Sequence, residues 1–100
     1  MIELQRISGF DWDAGNARKS EDKHAVSQAE AEQLFFRKPL WLAVDMKHSQ
    51  HEERFHALGQ SAAGRLLHVT FTLREDGTKI RIISARDMSR RERRLYEQAP

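Results

Sequence analysis

The chain has 100 residues, 39% of them hydrophobic and 32% charged, with a net charge of +2 and no cysteine. That length suits one compact domain burying roughly 65% of its unfolded surface, so a single domain over residues 1–100 is expected. The longest apolar run, Leu40 to Val44, is far short of the roughly 20 residues of a membrane span, the N-terminus has no signal-peptide pattern, and disulfides and thiolate metal sites are excluded, so a cytoplasmic protein with no membrane partner is expected.

The net charge hides an asymmetry. Residues 1–64 carry eight Lys/Arg against ten Asp/Glu, whereas residues 65–100 carry nine against five. Segregated charge of this kind argues for a basic face that steers toward polyanions.

In chain order, Asp13 can cap a polar surface helix of about ten residues, with Trp12 anchoring it from outside. Ser27 and Glu30 form a capping-box pair, S-x-x-E, that starts a second helix. Ala31, Leu34 and Phe35 give this helix a core-facing stripe, and Pro39 stops it. Strands follow. Leu40, Leu42, Val44 and Met46 alternate with Trp41, Ala43, Asp45 and Lys47, which predicts one buried face. Residues 53–60 form a second strand and Arg65–Arg74 a third, with Leu67, Val69, Phe71 and Leu73 on one side and His68, Thr70, Thr72 and Arg74 on the other. Asp76-Gly77 signals a hairpin with positive φ at both turn positions, leading into a fourth strand over Lys79–Arg86. Ser89 and Glu92 make a second capping box, opening a C-terminal helix near Arg90. A short extra strand near Ile2–Leu4 is also compatible with the pattern. The order is helix, helix, four antiparallel strands, helix: an α+β fold.

The segment from Lys79 to Arg94 holds seven basic residues against two acidic ones. Arginine on a strand points to an anion, because the guanidinium is always charged and forks toward phosphate or carboxylate. On a regular strand Arg81 and Arg86 fall on opposite faces, and a bulge would be needed to bring them together. The segment therefore reads as two surfaces. The three histidines His48, His51 and His56 span a loop and a strand start, with no fixed ligand geometry and no cysteine, so no metal site is expected.

FDWD (10–13), KHAVS (23–27), HSQHEERF (48–55), GRLLHVTFT (64–72), IRIISAR (80–86) and ERRLYE (92–97) together resemble the BrnT family of ribonuclease toxins of type II toxin–antitoxin systems. The resemblance covers about residues 10–97. It implies a RelE-like fold with two N-terminal helices, a four-stranded antiparallel sheet and a C-terminal helix. It also implies a metal-independent endoribonuclease, without cofactor, that cleaves RNA and blocks translation, in association with ribosomes. The implied partner is a BrnA-like antitoxin, in a heterotetramer or larger complex, through which alone operator DNA is contacted.

Metal-free RNA cleavage needs a base for the 2′-hydroxyl, cations for the charge on phosphorus and an acid for the 5′-oxygen. The candidates are His48 and Glu53 for acid and base, and Arg54, Arg81 and Arg86 for phosphate. Lys23, His24, Arg65, Arg90 and Arg94 are candidate RNA contacts. Four positions depart from the family pattern: Asn16, Ser20, Ala25 where glycine is usual, and Phe71 where tyrosine is common. If Ala25 takes positive φ, it is strained by about 1 kcal/mol. These departures motivate an alternative reading, a catalytically degenerate module that binds an antitoxin or nucleic acid.

Overall fold

The computed structural model describes residues 3–11, 24–47 and 51–98. The predicted first helix, with Asn16, Ser20 and Lys23, lies outside these residues, as does His48. The described elements are β1 (Gly9–Phe10), α1 (Gln28–Gln33), β2 (Trp41–Val44), β3 (Arg54–Gln60), β4 (Leu66–Arg74), β5 (Lys79–Asp87) and α2 (Arg90–Gln98), with short 3₁₀ turns at Leu4–Arg6 and Leu34–Phe36. No helix among the described residues is long and apolar enough to cross a membrane.

The sheet corrects the expected architecture. It has five strands in the order β1-β5-β4-β3-β2, and it is mixed, not a four-stranded antiparallel sheet. The added strand, β1, lies parallel to β5, with Gly9 opposite Lys79 and Phe10 opposite Ile80. Hydrogen bonds from Ser8 N–H to Thr78 O (2.7 Å) and Asp11 N–H to Ile80 O (2.8 Å) extend this pairing. Two residues are too few to show alternation, and Leu4, where the extra strand was expected to end, begins the 3₁₀ turn instead. Among the described residues there are two α-helices, one mid-chain and one C-terminal, where two N-terminal helices and a C-terminal one were expected; the first of the expected helices falls outside the described residues.

Both capping boxes form, in different ways. Ser27 Oγ accepts the Glu30 N–H at 3.1 Å, but the Glu30 carboxylate turns away to accept from Ser61 Oγ at 2.9 Å. Ser89 and Glu92 are fully reciprocal, at 3.2 and 2.9 Å. The first helix is shorter than its stripe suggested, because Leu34–Phe36 tighten into a 3₁₀ turn. Even so, Ala31 and Leu34 are completely buried with Val26 against Ala57, Val69, Phe71 and Ile82. Leu34 sits so close to Gly59 that an added Cβ there would lie 2.8 Å from Leu34 Cγ. On the opposite, outer face a second, smaller cluster covers one end of the sheet. There Tyr96 of α2 packs on Leu58, Met88, Trp41 and Leu66, and its hydroxyl donates to Pro39 O at 2.7 Å.

The turn before α1 carries the strain foreseen from the sequence, since Ala25 has φ 55°. Arg65 clasps this turn. Its guanidinium donates to Ala25 O (2.7 Å), His24 O (3.0 Å) and both oxygens of Asp87 (2.7 and 3.0 Å). Ala25→Gly is expected to stabilise the protein by about 0.5–1 kcal/mol, the relief of left-handed strain less the extra entropy of the unfolded chain. A urea midpoint that does not rise would show the turn to be unstrained.

Candidate functional site

One irregularity arranges the outer face. Pairing of β4 with β5 runs Thr70 opposite Ser84 and then Phe71 opposite Ile82, leaving Ile83 without a partner. Ile83 and Ser84 are consecutively half-buried, whereas Ile82 and Ala85 are buried. One extra residue shifts the alternation by one. Arg81 now lies opposite Thr72 and Arg86 opposite His68, and Thr72 and His68 share a face. The bulge thus brings both arginines to the same side of the sheet, and the reading of two surfaces gives way to one.

Three rows cross this face. Arg54, Thr72 and Arg81 form the first. Ala43, His56, Thr70 and Ser84 form the second. Trp41, Leu58, His68 and Arg86 form the third. Successive rows are about 7 Å apart, so His56 stands between a row holding two arginines and a row holding one.

A chain of contacts runs through the imidazoles. Asp45, only 7% exposed, places Oδ2 at 3.3 Å from His56 Nε2. His56 Nδ1 lies 2.9 Å from His68 Nε2 and 3.3 Å from Thr70 Oγ1. The rings are 4.8 Å apart between centroids. His68 is buried, and burial first, then the Arg86 charge, pushes it down to about 4. It is therefore neutral at pH 7, and its Nδ1 is buried without a partner. His56 is the half-exposed member of the pair, with 32% of its side chain accessible.

Arg86 is held by a bidentate pair, donating to both Glu92 oxygens at 2.9 Å. Burial pushes Glu92 up, but hydrogen bonds from Arg86 and the Ser89 N–H outweigh it and leave the carboxyl at about 2. Glu92 therefore serves at once as helix cap and as anchor for the arginine. A cleft of about 550 Å³ opens here, bounded by His56, His68, Arg86, Lys47, Arg91 and Glu92. Lys47 and Arg91 add positive charge to its rim.

The other predicted residues are distributed unevenly. Arg54, Arg81 and Arg86 are brought together on the outer face. Glu53 is exposed just before β3, where its carbonyl accepts from Thr72 Oγ1 at 2.7 Å. Arg65 is spent on the turn before α1 and on Asp87, at the other side of the sheet; its hydrogen bonds to Asp87 raise it and lower Asp87. His24 is half-buried beside it and contributes its carbonyl to the clasp. Arg90 and Arg94 are exposed on α2, outside the cleft lining, which takes Arg91 and Leu95 from that helix instead. Phe71 is fully buried and stacks on Phe55 at 5.4 Å between ring centroids. A phenol there would point into the core, so this departure does not touch the arginine face.

From the sequence, His56 is weighed only for a metal site and His68 lies on the polar side of its strand, and neither is a catalytic candidate there. The signal available was His56 and His68 flanking a hairpin, on the polar parity of adjacent strands. Only the register shows that their rings meet.

This face of the sheet bears three arginines and two imidazoles in contact, a set of groups with the chemistry to bind an anion. Comparison with known proteins then fixes the lineage. Residues 12–92 match the family model for the ribonuclease toxin BrnT of type II toxin–antitoxin systems, and the chain belongs to that family. Among solved structures it is similar to the 1.1 Å crystal structure of the Brucella abortus ribonuclease toxin BrnT, with a TM-score of 0.59 and 19% identity over 82% of this chain and 97% of that one. That likeness supports a shared fold. No curated protein matches.

Proposed function

We propose that this protein is an endoribonuclease toxin that cleaves RNA without a metal ion, on the outer face of its sheet. The observation that carries this reading is the β5 bulge, which sets Arg81 and Arg86 with Arg54 around His56. Guanidinium groups supply the cationic stabilisation that phosphorus needs as the 2′-oxygen attacks. The attacking hydroxyl belongs to ribose, so RNA is the substrate and DNA is spared.

His56 takes the 2′-hydroxyl proton at Nε2, where Asp45 Oδ2 then holds the imidazolium, while Nδ1–H donates to His68 Nε2. His68, neutral, keeps the ring oriented and adds no competing charge. His48, from the HSQHEERF motif, is proposed as the acid toward the departing 5′-oxygen because it is an imidazole in a polar loop, with Glu53 to orient it. Lys47 and Arg91, with Arg90 and Arg94 on the adjoining helix, extend the electrostatic path for the strand beyond the cleft. Lys23, His24 and Arg65 complete the set of proposed RNA contacts; for Arg65 this would be secondary to its clasp.

In the cell, this activity would block translation, acting on ribosome-associated mRNA in the cytoplasm. A BrnA-like antitoxin would neutralise it within a heterotetramer or larger complex and carry the operator contact. The test is incubation of the purified protein with a labelled RNA and a DNA of the same sequence, with and without EDTA. Cleavage of RNA alone, unaffected by EDTA and leaving 2′,3′-cyclic phosphate ends, is expected. Loss of cleavage in EDTA, or cleavage that persists at the wild-type rate in both His56→Ala and His48→Ala, would overturn the mechanism.

A further inference from the structure

Among the described residues, β2 ends the sheet and no strand lies on its far side. The Asp45 N–H bonds inward to Arg54 O at 2.8 Å. Alternation along an antiparallel strand therefore turns the backbone groups of Leu42 and Val44 outward. Edges are commonly blunted by lysine, proline or a bulge, yet β2 reads Trp-Leu-Ala-Val.

The surroundings of this edge are apolar too. Leu4, Phe36, Val44 and Met46 are 40%, 78%, 43% and 86% exposed, and Leu95 is the one other exposed large hydrophobic among the described residues. A trough of about 880 Å³, with Leu4, Phe36, Pro39 and Leu42 in its walls, runs beside the strand. Clustering of this kind marks a protein-binding surface. Along residues 36–47 the exposed charges are basic, Arg37, Lys38 and Lys47, whereas Asp45 is buried against His56; Glu3, next to Leu4, is an exposed carboxylate.

We propose that β2 is the docking edge for the antitoxin, which adds an extended segment of alternating apolar and acidic residues as a sixth strand. This rests on the antitoxin partner of the proposed function. The basic residues along 36–47 select an acidic occupant. A second copy of this chain would set Arg37, Lys38 and Lys47 against the same three residues across a two-fold axis. An added strand projects alternate side chains over the face that carries His56, so docking would also cover the catalytic row. Main-chain pairing would supply affinity and the trough specificity.

The test uses the purified chain and the antitoxin encoded beside it. Phe36→Glu and Met46→Glu are each expected to weaken binding at least tenfold, with unchanged cleavage by the free toxin and an unchanged melting temperature. Independently, the Leu42 and Val44 amides should become protected from hydrogen exchange in the wild-type complex. Undiminished affinity in both variants, with no new protection at those amides, would overturn the docking edge while leaving the antitoxin reading intact. Absence of binding by the wild type would overturn both. Self-association of the free chain that Met46→Glu abolishes would assign the edge to a second copy instead.

Discussion

Arg81→Ala is expected to slow RNA cleavage about 100- to 1000-fold, the cost of removing one well-placed donor from a developing phosphorane charge. The expectation follows from the bulge. With Ile83 unpaired, Arg81 shares the row of Arg54 and faces the same side as Arg86, so a phosphate held by these groups lies one row from the His56 imidazole. Arg86→Ala should reduce cleavage comparably, but with a second consequence. Its guanidinium holds Glu92, which also caps α2 through the Ser89 N–H. Removing it strands a half-buried carboxylate and costs about 2–3 kcal/mol of stability. Single-turnover cleavage of a labelled RNA, read beside thermal melting, follows both effects: each variant should lose rate, and Arg86→Ala should also lose melting temperature. Arg81→Lys should recover only part of the rate, since an ammonium keeps the charge without the fork. Wild-type cleavage by Arg81→Ala would remove the outer face as the site.

Local signals in the chain translated well, because each depends on residues close in sequence. The two Ser-x-x-Glu boxes opened helices, the alternation over 66–74 became β4, and the Asp76-Gly77 pair formed a turn with φ of 57° and 81°, widened by Glu75 at 52°. What escaped was non-local. Gly9–Phe10 carries no periodicity, and it becomes a strand only because β5 offers it an edge. The bulge at Ile83 sits inside Ile-Ile-Ser, where every residue suits a strand and nothing marks the extra one. Arg65 looks like another phosphate-binding arginine until the fold brings His24 O and Ala25 O to it across 41 and 40 residues. The imidazole pair likewise depends on register, since one residue of slip would carry His68 to the core face. Arginine content therefore marked the basic C-terminal third of the chain, and only the pairing of strands sorted outer-face cations from the structural Arg65.

His68→Phe is expected to abolish the loss of stability that the wild type shows as pH falls from about 6.5 to about 4. In the native protein, burial and then Arg86 hold His68 down to about 4, against an ordinary value of 6.5. Over that interval the unfolded chain binds a proton that the native chain refuses, so stability is complete above 6.5 and drains as pH falls, by about 3 kcal/mol at pH 4. Glu92 adds a second, lower ramp. Held at about 2 against an ordinary 4.5, it contributes stability that is present above 4.5 and lost as pH falls toward 2. Phenylalanine preserves the ring and leaves no orphaned Nδ1, so the variant should match or exceed the wild type at pH 7 and keep only the lower ramp. Urea midpoints measured from pH 7 to pH 3 on both proteins isolate the His68 contribution, because His24, His48, His51 and His56 are common to the two. An unchanged slope between 6.5 and 4.5 would mean that His68 is charged in the native state. The same substitution bears on catalysis. His56 would keep Asp45 at Nε2 but lose its partner at Nδ1, so the cleavage rate should fall and its pH dependence shift, an effect that packing alone would not produce. Burying one imidazole beside an arginine thus has two linked results: it costs the fold stability in acid, and it keeps His68 neutral beside His56, the imidazole proposed to serve the phosphate.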